Sequence, residues 1–130
     1  MQHDELTESL RIFLKNQPDI RLAILFGSIA RGTARTDSDV DIAVLQDHPL
    51  SVIEKTALIE KISILSGRPI DLIDLATVGE PLLGEVLQGK RLMGSDEHFA
   101  RLLTQHLLDA ADFLPLQQRI LQERRDAWIK

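Results

Sequence analysis

The 130-residue chain has no cysteine and no tyrosine, and its rings are limited to one tryptophan and four phenylalanines. Without cysteine there is no disulfide, no zinc–thiolate site and no thiol nucleophile, so any metal must rest on carboxylates or on the four scattered histidines. Without tyrosine the chain has no phenol of its own to modify, and it offers few platforms on which bases could stack. Positive charge is also in deficit. Fifteen Lys and Arg face 20 Asp and Glu, a net charge of -5, so no general footprint for a polyanion exists and direct nucleic-acid binding is not expected. No run approaches the roughly 18 apolar residues of a membrane span. The segment Met1–Leu10 carries Asp4, Glu5 and Glu8 where a secretory signal would be basic and then apolar, so a cytoplasmic location is expected. No Gly-x4-Gly-Lys-Ser/Thr sequence occurs, which argues against a P-loop ATPase.

What is present is the composition of a folded domain. At 44% apolar and 27% charged, the chain is neither disordered nor fibrous, and its length suits one domain spanning 1–130. Leu6, Leu10, Phe13 and Leu14 follow helical spacing within Asp4–Lys15, and Pro18 ends that helix. Arg21–Phe26 and Val40–Leu45 read as short strands, with a polar stretch from Ser28 to Ser38 between them that suits a short helix or turn and a loop. Ser51 and Glu54 form a capping box for a helix to about Ser66, with a core stripe of Ile53, Leu58, Ile62 and Leu65, and with Gly67 and Pro69 as its stop. Ile70–Leu75 is a third strand, and Glu80–Gln88 a short helix ended by Gly89. Ser95, Asp96 and Glu97 open a long helical stretch toward Lys130 that Pro115 should kink. The order predicts a small α/β (α+β) fold, a sheet flanked by helices, with a catalytic core over about 20–76 and a C-terminal helical part over about 79–130.

Three features converge on the strand ends. Gly27-Ser28 lies where the first strand runs out, so backbone N–H groups and a hydroxyl face outward together, which suits phosphate oxygens; a serine-capped turn is the plain alternative. Asp39-Val40-Asp41 sets two carboxylates on one side of a strand mouth, where alternation lets both approach one hard cation such as Mg²⁺. Asp is also a turn residue, but a charge between Val40 and Ile42 is out of place in a strand unless something pairs with it. Asp71 and Asp74 lie in the third strand an odd number of residues apart, so only one can join that site; Asp71 is favoured, Asp74 being the other choice.

Gly27-Ser28, ten intervening residues and then Asp39-Val40-Asp41 resembles the Gly-Ser-x10-Asp-x-Asp signature of the DNA polymerase β-like nucleotidyltransferase superfamily. The stretches Gly27–Ala34 and Asp37–Asp41 are similar to its minimal nucleotidyltransferase branch, and Leu-Gln-Gly-Lys-Arg-Leu to that branch's usual ending. The resemblance implies a polymerase-β-like fold with a mixed sheet, and transfer of a nucleoside monophosphate from ATP with release of pyrophosphate. It implies that Gly27 and Ser28 hold the β and γ phosphates, that Asp39, Asp41 and Asp71 hold two Mg²⁺ ions, and that Arg31 and Arg35 contact the triphosphate unless they are solvated loop residues. Only about fifty-five residues follow the third strand, so an acceptor-binding domain is not expected. On that ground the chain resembles the antitoxins of HEPN/MNT toxin–antitoxin pairs, which implies a HEPN-domain ribonuclease toxin as partner and AMP transfer (AMPylation) to one of its hydroxyls, a tyrosine. Steric neutralisation without catalysis, and a small-molecule nucleotidyltransferase, are the alternatives.

The rest reads as structure. His3, His48, His98 and His106 show no metal spacing, the stripe Phe99, Leu102, Leu103, His106, Leu107, Ala110, Phe113 and Leu114 has core character, and Glu123–Asp126 is a solvated run.

Overall fold

The structure, a computed structural model, describes residues 3–109. The elements run α1 (His3–Lys15), β1 (Leu22–Phe26), α2 (Gly27–Arg31), β2 (Val40–Leu45), α3 (Val52–Ser66), β3 (Ile70–Asp74), α4 (Leu82–Leu87) and β4 (Lys90–Gly94). A last helix, α5, occupies 96–109. The expected continuation toward Lys130, its kink at Pro115, the stripe positions Ala110, Phe113 and Leu114, and the run Glu123–Asp126 lie outside the described residues. The strands form one mixed sheet in the order β3-β2-β1-β4. β1 pairs antiparallel with β2 and β4, and β2 pairs parallel with β3 through the α3 crossover.

Alternation along the strands sorts the core into two layers. Ala23 and Leu25 of β1, Val40, Ile42 and Val44 of β2 and Leu72 of β3 pack with Leu6, Leu10 and Leu14 of α1 and Leu58 and Ile62 of α3. Leu22, Ile24, Phe26 and Ala43 face the other way, against Leu83 and Val86 of α4 and Leu102 of α5. β1 is buried along its whole length, as its unbroken apolar run requires. The sheet is therefore sandwiched, α1 and α3 on one face and α4 and α5 on the other.

Two expectations are corrected. The Lys90–Gly94 segment is a strand, not merely a tail to α4; its polar start and single fully buried side chain, Leu92, hide the alternation expected of an edge strand. Ile53 does not belong to the α3 core stripe and is 82% exposed. Leu58, Ile62 and Leu65 share a face, whereas five residues of helix carry Ile53 roughly 140° away from Leu58. The capping box is present as expected, with Glu54 N–H donating to Ser51 Oγ and Ser51 N–H donating to Glu54 Oε1, and Gly67 closes the helix in the left-handed region.

The contrast within α3 is measurable. Ile62→Ala should lower unfolding free energy by about 2–5 kcal/mol in urea titration, and Ile53→Ala by less than about 0.5 kcal/mol.

Candidate active site

Strand register does the first part of the assembly. Asp41, the second residue of β2, lies opposite Phe26 on β1 and directly opposite Asp71 on β3. Residues in register project from the same face, so Asp41 and Asp71 both point to the α4–α5 side, at the end of the sheet where β1 stops. Asp39, two residues before Asp41, is close enough for its charge to act on it. Asp74 falls on the opposite face and is already engaged: its Oδ2 accepts a hydrogen bond from Leu50 N–H at 2.8 Å, and its Oδ1 one from Ala76 N–H at 2.9 Å. Asp71 is thus the strand carboxylate beside Asp41, and Asp74 a fastening between β3 and the chain entering α3.

Backbone conformation does the second part. Gly27 sits at φ +75°, in the left-handed region, and a Cβ there would overlap the Asp41 carboxylate. Only glycine lets the chain leave β1 so close to that side chain. This geometry also removes the capping expected of Ser28. The helix begins one residue earlier, Phe26 holds the N-cap position without a side-chain hydrogen bond, and Ser28 is the second residue of α2. Its hydroxyl makes no hydrogen bond among the described residues and is half-exposed.

The loop that carries Asp39 is held from a distance. Arg68, between α3 and β3, donates through one guanidinium nitrogen to the carbonyls of Arg35 at 2.9 Å and Ser38 at 3.1 Å. Ser38 Oγ accepts from Arg35 N–H at 2.7 Å, and Val40 N–H donates to Pro69 carbonyl at 2.8 Å.

The electrostatics follow from this crowding. Asp41 is pushed above its ordinary carboxylate value, first by burial and then by the like charges of Asp71, Asp39 and Glu85, with Arg31 acting in the opposite sense. Asp39, Asp41 and Asp71 form no ion pair among the described residues, whereas Asp47 and Asp96 are paired with Arg21 and Arg91. Among the described residues no three His, Asp or Glu side chains already converge as a metal site. The chemistry of Asp39, Asp41 and Asp71 nevertheless fits a hard divalent cation, since the donors are all carboxylate oxygens and the site favours added positive charge.

A pocket of about 430 Å³ opens beside Gly27, lined by Phe26, Ala30, Arg31, Glu85, Gln88, Gly89 and Lys90. Arg31 thus stands at the site, as expected. Arg35 instead lines a separate depression of about 200 Å³ with Leu6, Ile29 and Arg68, and the structure does not bring its side chain to Gly27.

Residues 8–98 match the family described as Polymerase beta, Nucleotidyltransferase. The chain belongs to this nucleotidyltransferase family. It is 36% identical over 104 residues, covering 77% of this chain and 75% of the relative, to the protein adenylyltransferase MntA of Shewanella oneidensis. It superimposes with a TM-score of 0.73, at 27% identity and over 95% of its own length and 98% of the other chain, on a toxin–antitoxin crystal structure with AMP-PNP. A tri-AMPylated Shewanella oneidensis HEPN toxin in complex with its MNT antitoxin gives 0.64 at 29% identity, over 90% of this chain and 98% of that one. The expected polymerase-β-like fold and nucleotidyltransferase class are therefore established for this family member.

Arg68, Glu85, Gln88 and Lys90 were not singled out from the sequence. The signal available for two of them was Gly89, because the close approach it permits sets Gln88 and Lys90 at the mouth of the site; Glu85 had none, and Arg68 had none, since its partners are backbone carbonyls about thirty residues away.

Two outcomes test this geometry. A carboxyl group whose folded-state pKa is raised holds its proton more tightly when folded, so its contribution is favourable while protonated and is lost as pH rises through the folded value. Asp41→Asn should therefore raise neutral-pH stability, by less than about 1 kcal/mol because solvent screens the site, and should flatten the fall in melting temperature from acid to neutral pH. Arg68→Ala should lower turnover about tenfold while reducing stability by only about 1 kcal/mol, with Arg68→Lys recovering part of the rate because it lacks the forked donor.

Proposed function

We propose that this nucleotidyltransferase is a Mg²⁺-dependent protein adenylyltransferase of a toxin–antitoxin pair, which transfers AMP from ATP to a tyrosine hydroxyl of a HEPN ribonuclease and so neutralises it. The observation that carries the reading is the register that sets Asp41 opposite Asp71, with Asp39 and Gly27 beside them. The relative bearing the adenylyltransferase name, and the similar chains in structures with AMP-PNP and an AMPylated toxin, support the choice of nucleotide and acceptor.

In this reading the acceptor oxygen attacks the α-phosphorus of ATP, the bond from that phosphorus to the bridging oxygen of the β-phosphate breaks, pyrophosphate leaves, and the hydroxyl proton passes to solvent. Asp39, Asp41 and Asp71 would hold the Mg²⁺ ions, which neutralise charge on the attacking and leaving oxygens when bound. Gly27 gives the phosphates close access to the backbone, the unengaged Ser28 hydroxyl donates to them, and Arg31 offsets their charge. The absence of tyrosine in the chain agrees with a target in trans.

Incubation of the chain with the proposed HEPN ribonuclease partner, ATP and Mg²⁺ should add one or more AMP units to that partner by intact mass. Asp39→Asn or Asp41→Asn should reduce the addition at least about a hundredfold, more than an outer-shell change costs. Tight binding with no added mass would instead establish steric neutralisation. Asp71→Asn should cost more rate than Asp74→Asn, whereas Asp74→Asn should cost more stability; the reverse order of rates would place the third carboxylate on the wrong face.

A further inference from the structure

The Gly-Ser and Asp-x-Asp positions lie well before α4 and β4, yet the pocket beside Gly27 is closed on one side by these elements, at the Leu-Gln-Gly-Lys-Arg-Leu segment. Gly89 makes that closure possible. A Cβ at this position would overlap the carbonyl oxygen of Leu25 and press at 2.9 Å on Phe26 and 3.0 Å on the carbonyl of Val86, so the turn from α4 into β4 sits directly against the end of β1. Its φ is not in the left-handed region, and the glycine serves close approach here rather than a helix stop. Lys90, the next residue, pairs with Leu25, two residues before Gly27. It is exposed, lines the pocket, and its side chain has no ion pair or hydrogen bond among the described residues.

Several cations among the described residues are already committed. Arg11, Arg21, Arg91 and Arg101 are paired with carboxylates, and Arg68 is committed to backbone carbonyls. Arg31 and Lys90, brought together from opposite ends of the domain, both open into one concavity of about 430 Å³, a volume in the range of small-ligand sites. Glu85 lies in the same pocket and adds to the repulsion at Asp41. The concavity therefore sets a two-cation wall beside Gly27, whose backbone in turn abuts the Asp41 carboxylate. A ligand spanning it needs a part that tolerates the carboxylates through a divalent cation and a strongly anionic tail.

We propose that Lys90 is a phosphate-binding residue of this site, which with Arg31 receives the terminal phosphates of the nucleoside triphosphate, and that Gly89 is the positioning residue that sets it there. The assignment rests on the adenylyltransferase reading and adds to it a substrate contact outside the Gly-Ser and Asp-x-Asp positions. Lys90 is an ammonium point charge on a flexible stem and acts through charge and a single donor, so arginine can replace it and glutamine cannot.

The test is equilibrium binding of ATP, inorganic tripolyphosphate and adenosine, each with Mg²⁺, to the full chain and to its Lys90→Gln and Lys90→Arg variants, with melting temperatures as a check on folding. Lys90→Gln should weaken ATP and tripolyphosphate about tenfold and leave adenosine unchanged, while Lys90→Arg should stay within about threefold of the parent for all three. Unchanged ATP affinity in Lys90→Gln overturns the assignment, and so does a loss of adenosine binding equal to that of tripolyphosphate, which would make the pocket a nucleoside site. A parent chain that binds neither ATP nor tripolyphosphate overturns the adenylyltransferase reading and the Lys90 assignment with it.

Discussion

Carboxylates of like charge held in register at the mouth of a sheet are the constraint around which this domain is arranged. Asp41 lies between Phe26 and Asp71 on its neighbouring strands, and among the described residues the repulsion among Asp41, Asp71, Asp39 and Glu85 is not relieved by any ion pair to the first three. A fold selected for stability alone would have paired these groups or replaced them. Retaining them requires a rigid frame, and the frame is the fully buried β1 with helices packed on both of its faces.

The frame explains why the site can be small. Each contributing group reaches it by a short route from a rigid element: Gly27 leaves the end of β1, Asp41 and Asp71 sit within strands, and Asp39 lies on a loop whose carbonyls are gripped by Arg68. No separate lobe is needed to bring them together. Similar chains in solved structures belong to toxin–antitoxin assemblies.

Much of this was legible in the sequence where one residue type has one physical meaning. Gly27 before Ser28, Asp41 between apolar neighbours, the Ser51–Glu54 box and Gly67 before Pro69 each announced their backbone state, and the odd spacing of Asp71 and Asp74 separated their faces correctly. The failures have a common cause in the absence of tertiary information. Ile53 was grouped with the α3 core by its apolarity although its angle excludes it, and β4 was missed because an edge strand with one buried side chain carries almost no alternation. A serine-capped turn at Ser28 stood as the plain alternative because composition does not disclose that Gly27 starts the turn one residue early. Arg35 looked equivalent to Arg31, but four residues of turning and loop carry it to another surface.

The parallel pairing of β2 with β3 has a further consequence for how such a chain can vary. Asp41 and Asp71 are about thirty residues apart and meet only because α3 and its short exit return β3 in the matching phase. A strand displaced by one position turns each of its side chains to the opposite face. One inserted or deleted residue between Gly67 and Ile70 would present Ile70 or Leu72 beside Asp41 and send Asp71 toward the α1–α3 layer, with no change in amino-acid type at the site. In this domain the chain length of that connection is itself a determinant of chemistry.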